Sequence, residues 1–251
     1  MAVPDNVLER AQRGDQAACA ALLAESYPSV VRMARALTAD AKEAEWVVDF
    51  VLRRGAALLP TWRRGTMTQN WFYHHTLLAA RERAAAKPAP QPREDLLVAN
   101  APDASPEYVA FVRAVRGLPG QQCEAFILHH GEKLNSRFLG VTMDCSSSAA
   151  ENHLNAANAT LATIAGSSLG SFQVMLSRAY ARLGPPAESV GPAVEPYARS
   201  YTRPLRLRRM VRRVILVVVL VALVWGAWHW RQELWIWVGP WVRRLRASAG
   251  R

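Results

Sequence analysis

One stretch near the C-terminus is continuously apolar, whereas apolar residues elsewhere recur at helical spacing. Residues 214–230 read VILVVVLVALVWGAWHW, without a charge. As an α-helix this run reaches roughly 26 Å, near the lower limit for a bilayer core of about 30 Å. Met210 and Val211 can extend it, because Arg212 and Arg213 can snorkel to the headgroups. The pattern predicts a transmembrane helix over 211–230, and its place in the chain excludes a cleaved signal peptide.

Residues 5–86 have the apolar spacing of a helical domain. Its first stripe recurs at three- and four-residue steps through Leu22, Leu23, Tyr27, Val30, Val31, Ala34 and Leu37. Asp40 is a predicted N-cap, followed by a stripe at Ala44, Val47, Val48, Val51, Leu52 and Leu59. Gly55 and Pro60 are predicted to end that helix. A basic loop at 61–66 precedes a further helix over about 68–86.

Residues 107–165 form a second helical block. Its first helix passes through Tyr108 and is broken at 117–120, and an apolar helix follows at 123–131. A short helix then ends in a tight turn near Met143 and Asp144. Residues 146–148 begin the last helix, and Ser148 and Glu151 have the spacing of a capping box. A short helix, a tight turn and a capped helix are typical of a helix-turn-helix.

Proline-rich stretches separate these blocks. Residues 87–106 contain five prolines and no apolar periodicity, which predicts a linker. Residues 166–210 are predicted to be a partly helical, Pro-rich and basic linker, and the Trp- and Arg-rich tail at 231–251 an interfacial segment. A second, hairpin-forming span is the alternative for the tail, but its apolar stretch is short for one. The expected fold is all-α, with two small helical domains and one C-terminal transmembrane helix.

The charge of the chain is concentrated around the apolar run. The formal net charge is +11, yet residues 199–251 contain 12 arginines and one acidic residue, Glu233, so residues 1–198 are neutral overall. Composition therefore gives no support for DNA binding by the N-terminal part. Arginines beside an apolar helix stay on the cytoplasmic side and attract anionic lipid. We expect a single-pass protein of the cell inner (cytoplasmic) membrane, with cytoplasmic N-terminal domains and membrane lipid as one partner.

Cysteine and histidine give no sign of metal binding or catalysis. The cysteines Cys19, Cys123 and Cys145 are widely spaced and form no C-x-x-C pair. The histidine pairs are adjacent, at His74-His75 and His129-His130, so the two rings of a pair point about 100° apart on a helix rather than to one face. No H-E-x-x-H, G-x-S-x-G or P-loop motif occurs. We expect surface histidines, no metal, no cofactor and no enzyme activity.

The two blocks together resemble bacterial sigma factors of the extracytoplasmic-function group, which retain only regions 2 and 4 joined by a flexible linker. The region 2 resemblance lies in Gly14-Asp15, Tyr27-Pro28, Leu37-Thr38, residues 44–48 and residues 71–73. The region 4 resemblance lies in Leu118-Pro119, residues 132–135 and residues 147–154. The chain departs from the family at Trp46 and Asp49, where an acidic residue and a glutamine are usual.

The resemblance implies that residues 44–54 bind RNA polymerase core. The candidate contacts on this helix are Glu45, Val48, Asp49, Leu52 and Arg53. The alternative is that Trp46 and the valines are simply core packing.

The resemblance also implies that residues 62–75 open the promoter −10 element. Aromatic residues stack on single-stranded bases and cations hold the phosphates; the candidates are Trp62, Arg63, Arg64, Trp71, Tyr73, His74 and His75. A buried Trp71 that anchors the helix is the alternative.

Region 4 of the family reads the −35 duplex. The weak candidates here are Ser147, Ser148, Asn152, His153 and Asn155. Residues 138–177 contain no Lys or Arg, and phosphate contacts supply most non-specific DNA affinity. This helix is therefore expected to bind duplex DNA weakly.

The implied function is that of a membrane-tethered sigma factor, which directs RNA polymerase core to promoters in transcription initiation and regulates transcription. Its implied partners are the polymerase core, promoter DNA, membrane lipid, and an anti-sigma or membrane signalling protein. Cleavage in the Pro-rich 184–204 stretch is one hypothesis for regulation. The alternative is a degenerate sigma-fold scaffold, anchored in the membrane, that does not read promoters.

Overall fold

The computed structural model describes residues 5–63, 68–86, 95–102 and 104–248, and these residues are helical with no strand. The all-α prediction is confirmed. The helices are α1 Asp5–Gln12, α2 Gln16–Thr38, α3 Ala41–Leu58, α4 Thr68–Ala86, α5 Leu96–Ala99, α6 Pro106–Gly117, α7 Gly120–Glu132, α8 Ser136–Met143, α9 Ser147–Ala165, α10 Leu169–Arg182 and α11 Ala187–Ser248. Short 3-10 turns follow α3 at Leu59–Thr61 and α9 at Gly166–Ser168.

The chain divides into two compact units, Met1–Thr202 and Arg203–Arg251. The first unit contains two apolar cores. One is built from α1 to α4 and includes Val194 and Ala198 from the start of α11. Gly55 lies inside α3 rather than ending it: a Cβ there would meet the Phe72 ring at 2.8 Å, so glycine allows α3 and α4 to approach closely.

The second core is built from α5 to α10 and also takes side chains from α2 and α4. Met33, Ala36, Tyr73 and Leu77 are buried in it. The two sequence blocks therefore pack against each other within the first unit. The division into two domains with a linker over 87–106 stays a prediction.

Local sequence signals explain most helix ends. The Asp40 carboxylate accepts from the Glu43 N–H at 2.9 Å, which confirms the predicted cap of α3. The predicted capping box at Ser148 is wrong. Ser146 Oγ accepts from the Ala149 N–H at 3.1 Å and caps α9 instead, because the helix begins earlier, at Ser147.

Two stretches of the described chain are long and apolar enough to cross a membrane, judged by length and composition, namely Ser147–Arg182 and Met210–Trp228. The first contains α9 and α10, whose Leu154, Ala157 and Leu176 are buried in the second core. The second has a mean hydropathy of 2.2 and its apolar side chains are exposed. It coincides with the predicted transmembrane segment.

Candidate functional site

Helix α3 has an apolar stripe on one side and a polar face on the other. Val47, Val51 and Leu52 are buried in the first core, so Leu52 packs inward and is not available to a partner. Glu45 and Arg53 are exposed. The predicted polymerase residues Val48 and Asp49 lie half-buried between the two sides.

Asp49 is the centre of a small polar cluster on α3. Arg53 Nε donates to its Oδ2 at 2.8 Å, and the Tyr197 hydroxyl donates to its Oδ1 at 3.1 Å. The Arg53 guanidinium also lies over the Tyr197 ring, 5.9 Å from the ring centre. The hydrogen bond from Arg53, helped by that from Tyr197, lowers the pKa of Asp49 against the opposing effect of burial. Tyr197 is a site residue that the sequence pattern missed.

A second cluster on α3 is aromatic and lies at the surface. Trp46 stacks on Phe50 with ring centres 5.2 Å apart, and Arg83 of α4 lies 5.0 Å from the Trp46 ring centre. Arg83 also forms an ion pair with Glu43. The core-packing alternative thus fits Val47 and Val51 but not Trp46, whose side chain is 37% exposed.

The aromatic residues predicted for the −10 element pack against one another. Trp62 is buried at 7% exposure, with ring centres 5.7 Å from Trp71 and 5.9 Å from Phe72. The half-buried Trp71 lies 4.1 Å from the His75 ring centre. Gln12 Nε2 of α1 donates to the Trp62 carbonyl at 2.7 Å and fixes the chain there. For Trp62 to stack on a base, its ring has to leave this packing.

Tyr73 and His74 both contact the second block. The buried Tyr73 hydroxyl donates to Glu132 Oε2 at 3.1 Å and accepts from Gln69 Nε2 at 2.6 Å. Burial, together with Glu132, raises the pKa of Tyr73 to about 12. His74 Nδ1 lies 3.1 Å from the Thr142 carbonyl of α8.

The remaining −10 candidates differ in environment. Burial and the neighbouring His74 lower the pKa of His75 to about 4, so this ring is neutral near pH 7. Arg63 is exposed. Arg64 lies outside the described residues. In the described part of this segment, positive charge near pH 7 thus lies on the exposed Arg63 and not on His75.

A three-residue turn joins α8 to α9. Asn135 caps α8 by accepting from the Phe138 N–H at 3.0 Å, and Asp144 has φ 59°, the left-handed conformation that ends the helix. The tight turn predicted near Met143 and Asp144 is confirmed. A Cβ on Gly140 would lie 2.9 Å from the Cys145 carbonyl oxygen, so only glycine fits under the turn.

The −35 candidates lie at the start of α9. Ser147, Ser148, Asn152 and Asn155 are exposed, and His153 is half-buried. The helix spacing places Ser148, Asn152 and Asn155 on one side. This surface can donate and accept hydrogen bonds, but it carries no positive charge for phosphate.

The part of the chain that the structure describes contains no cluster of three His, Cys, Asp or Glu residues able to hold a metal ion. The histidine pairs are half-buried rather than on the surface. His129 Nδ1 lies 2.8 Å from the Leu134 carbonyl, and the His130 ring lies 4.4 Å from the Phe126 ring centre.

The chain was compared with family models, curated proteins and solved structures. No protein-family model and no curated protein matches the chain. A solved structure, the sigma factor RpoE in complex with the anti-sigma factor NepR from Bartonella quintana, is similar at 18% sequence identity and a TM-score of 0.46, covering 57% of this chain and 92% of that one.

Proposed function

We propose that the chain is a membrane-tethered factor of the sigma type, which binds RNA polymerase core through α3 and directs it to promoters. The observation that carries this proposal is the outer face of α3. This face exposes Glu45, Trp46 and Arg53, whereas the apolar stripe of the same helix packs into the first core. Large aromatic and arginine side chains are enriched at protein interfaces, which makes this face a docking surface.

The turn between α8 and α9 supports a role at promoters. The caps at Asn135 and Ser146 and the left-handed Asp144 support a helix-turn-helix, a motif whose second helix enters the major groove. Asn152 and Asn155 carry amides that can pair with adenine edges. Because α9 itself contains no Lys or Arg, binding at the promoter would rely on the polymerase to hold the DNA.

The second candidate function is a scaffold that binds polymerase or a signalling partner without reading promoters. Two observations favour it: Trp62 and Tyr73 are engaged in internal packing, and the exposed start of α9 is uncharged. The same α3 face would serve either function.

The proposed tether is the Met210–Trp228 stretch in a single-pass, inner-membrane arrangement with cytoplasmic residues 1–202. It is supported by the hydropathy of that stretch and by the arginines that precede it. An anti-sigma or membrane signalling partner, and cleavage within 184–204, stay predictions.

Measurements of polymerase binding and of transcription initiation distinguish the sigma function from the scaffold function. The full chain in lipid nanodiscs is titrated with core polymerase, then supplied with a library of genomic DNA fragments, and the transcripts are sequenced. Glu45→Lys is expected to weaken polymerase binding about tenfold, by reversing a charge on the α3 face. Glu25→Lys, an exposed charge reversal on α2, is the matched control.

Initiation at defined sites supports the sigma function. Polymerase binding that is sensitive to Glu45→Lys, without initiation at any fragment, supports the scaffold. Absence of polymerase binding, or equal binding by both variants, contradicts the proposed role of α3.

A further inference from the structure

We propose that residues 187–202, the juxtamembrane segment, dock as a helix against α2 and α3 and compete with polymerase for the α3 face. This inference rests on the proposed function, because it concerns access to the same α3 face. It makes the chain its own inhibitor: the segment that leads to the candidate span also contacts Asp49 and Arg53, two of the residues proposed to bind the partner.

The juxtamembrane segment is docked by an apolar stripe. Val194 and Ala198 are fully buried in the core formed by α1 to α4, and Tyr197 and Tyr201 pack against that core. These positions are three and four residues apart, so they form one side of a helix. The stripe makes this part of α11 a packed element of the first unit.

Polar contacts place the segment directly on the proposed polymerase residues. Tyr197 donates to Asp49 at 3.1 Å and lies under the Arg53 guanidinium. Gln16 Nε2 of α2 reaches Glu195 Oε1 at 3.4 Å. A partner that donates to Asp49 Oδ1, or packs under the Arg53 guanidinium, in place of Tyr197 must displace Tyr197.

The segment itself is a poor helix, which makes its docking reversible. Pro192 and Pro196 lie on its exposed side, within α11. Each lacks an N–H and crowds the carbonyl four residues before it, at a cost of about 3 kcal/mol in a helix interior. The Tyr201 hydroxyl is also buried without a hydrogen-bond partner. The helical form of this segment therefore depends on its packing against the first core. When that packing is lost, we expect residues 187–202 to unfold and not to detach as an intact helix.

Competition of this kind lowers the apparent affinity for polymerase by the fraction of molecules that are open. A segment that is open a tenth of the time weakens binding about tenfold. Residues 203–209 connect the segment to the candidate span.

The test uses the full chain in nanodiscs with core polymerase as the probe. Val194→Asp places a charge in the buried side of the segment and leaves the α3 face unchanged; we expect it to bind polymerase about tenfold more tightly. Ser200→Asp adds the same charge on the exposed side and is expected to bind like the natural chain. Tyr197→Phe removes only the hydroxyl and is expected to tighten binding about threefold.

Hydrogen exchange of peptides from 187–202 gives the second readout. Protection of these amides is expected to fall when polymerase binds, and to be low in Val194→Asp without polymerase. If Val194→Asp disrupts the fold, the competition is tested by the polymerase affinity of Tyr197→Phe and by hydrogen exchange of the natural chain with and without polymerase.

Polymerase that binds while 187–202 stays protected overturns the inference and leaves the proposed function standing. The same holds if Val194→Asp opens the segment without tightening binding. If polymerase binds none of the variants, the proposed function itself is wrong, and the competition is excluded with it.

Discussion

Arg32 of α2 and Glu132 at the end of α7 form an ion pair that joins the two helical blocks. Arg32 Nε donates to Glu132 Oε1 at 3.0 Å. The Glu132 side chain is only 7% exposed, and the hydroxyls of Tyr73 and Tyr180 donate to it as well, at 3.1 and 3.3 Å. A nearly buried carboxylate is therefore held by one cation from α2 and by two hydroxyls, one from α4 and one from α10.

Removal of Arg32 is expected to destabilise the first unit strongly. Arg32→Met leaves the carboxylate buried without its cation, and loss of one partner of a buried pair costs about 3–5 kcal/mol. Because the Arg32 side chain is 25% exposed, we expect about 2–3 kcal/mol here. Urea unfolding of the full chain in detergent micelles, followed by circular dichroism, measures the loss.

Arg13→Met is the matched control, since Arg13 pairs with Glu9 at 3.4 Å on an exposed helix surface. Such a pair contributes about 0–0.5 kcal/mol. Equal losses for the two variants would contradict the importance of the Arg32 contact.

The α8–α9 turn is expected to be intolerant of a single methyl group. Gly140→Ala brings a Cβ to 2.9 Å from the Cys145 carbonyl oxygen and 3.0 Å from the Ser147 nitrogen. Both are backbone atoms, so the turn has to shift, at a cost of about 1–3 kcal/mol. Gly170→Ala in α10 meets nothing within 4 Å, and we expect it to stabilise by about 0.5–1 kcal/mol. Thermal unfolding compares the two, and a stabilising Gly140→Ala would refute the tight turn.

His130 is expected to make the protein less stable in mild acid. Burial, with help from His129 and Lys133, lowers its pKa from 6.5 to about 4. The unfolded chain therefore binds a proton between about pH 6.5 and 4 that the folded chain does not. Stability is fully present above pH 6.5 and falls as the pH drops through that window.

The measurement is the change in unfolding free energy between pH 7 and pH 5. His130→Gln is expected to reduce that change by about 1 kcal/mol, whatever its effect at pH 7. Lys133→Gln keeps the buried ring and is the comparison, with most of the change expected to remain. An identical pH dependence for His130→Gln and the natural chain would rule out this role.

Local signals in the sequence predicted most of the helices and some of their ends. The Asp40 cap, the break at 117–120 and the turn at Asp144 depend on neighbouring residues alone. Gly55 shows the limit of such signals, because its role is a contact with Phe72 on another helix rather than a chain break.

The features that could not be predicted from the sequence depend on contacts between residues that are distant along the chain. The burial of Trp62 and Tyr73 depends on α1 and α7, which lie far from them in sequence. The prolines of 184–204 are typical of a linker, and they obscured the stripe of Val194, Tyr197 and Tyr201. Whether a helix with such prolines forms depends on the surface against which it packs, here α2 and α3.

The uncharged face of α9 leads to a prediction about duplex DNA. Asn152→Arg combined with Asn155→Arg adds two cations on the exposed side that carries the −35 candidates. Each phosphate contact steepens the dependence of log affinity on log salt by about 0.9, so a slope steeper by about 2 is expected if this side faces the duplex.

The control is Thr163→Arg with Ser167→Arg, which adds the same charge at exposed positions beyond the first turns of α9, where the −35 candidates lie. It is expected to change the slope less. Fluorescence anisotropy of a labelled duplex, at several salt concentrations and with the full chain in nanodiscs, measures the slope. Equal slopes for the two double variants would mean that the start of α9 does not face the DNA, which favours the scaffold.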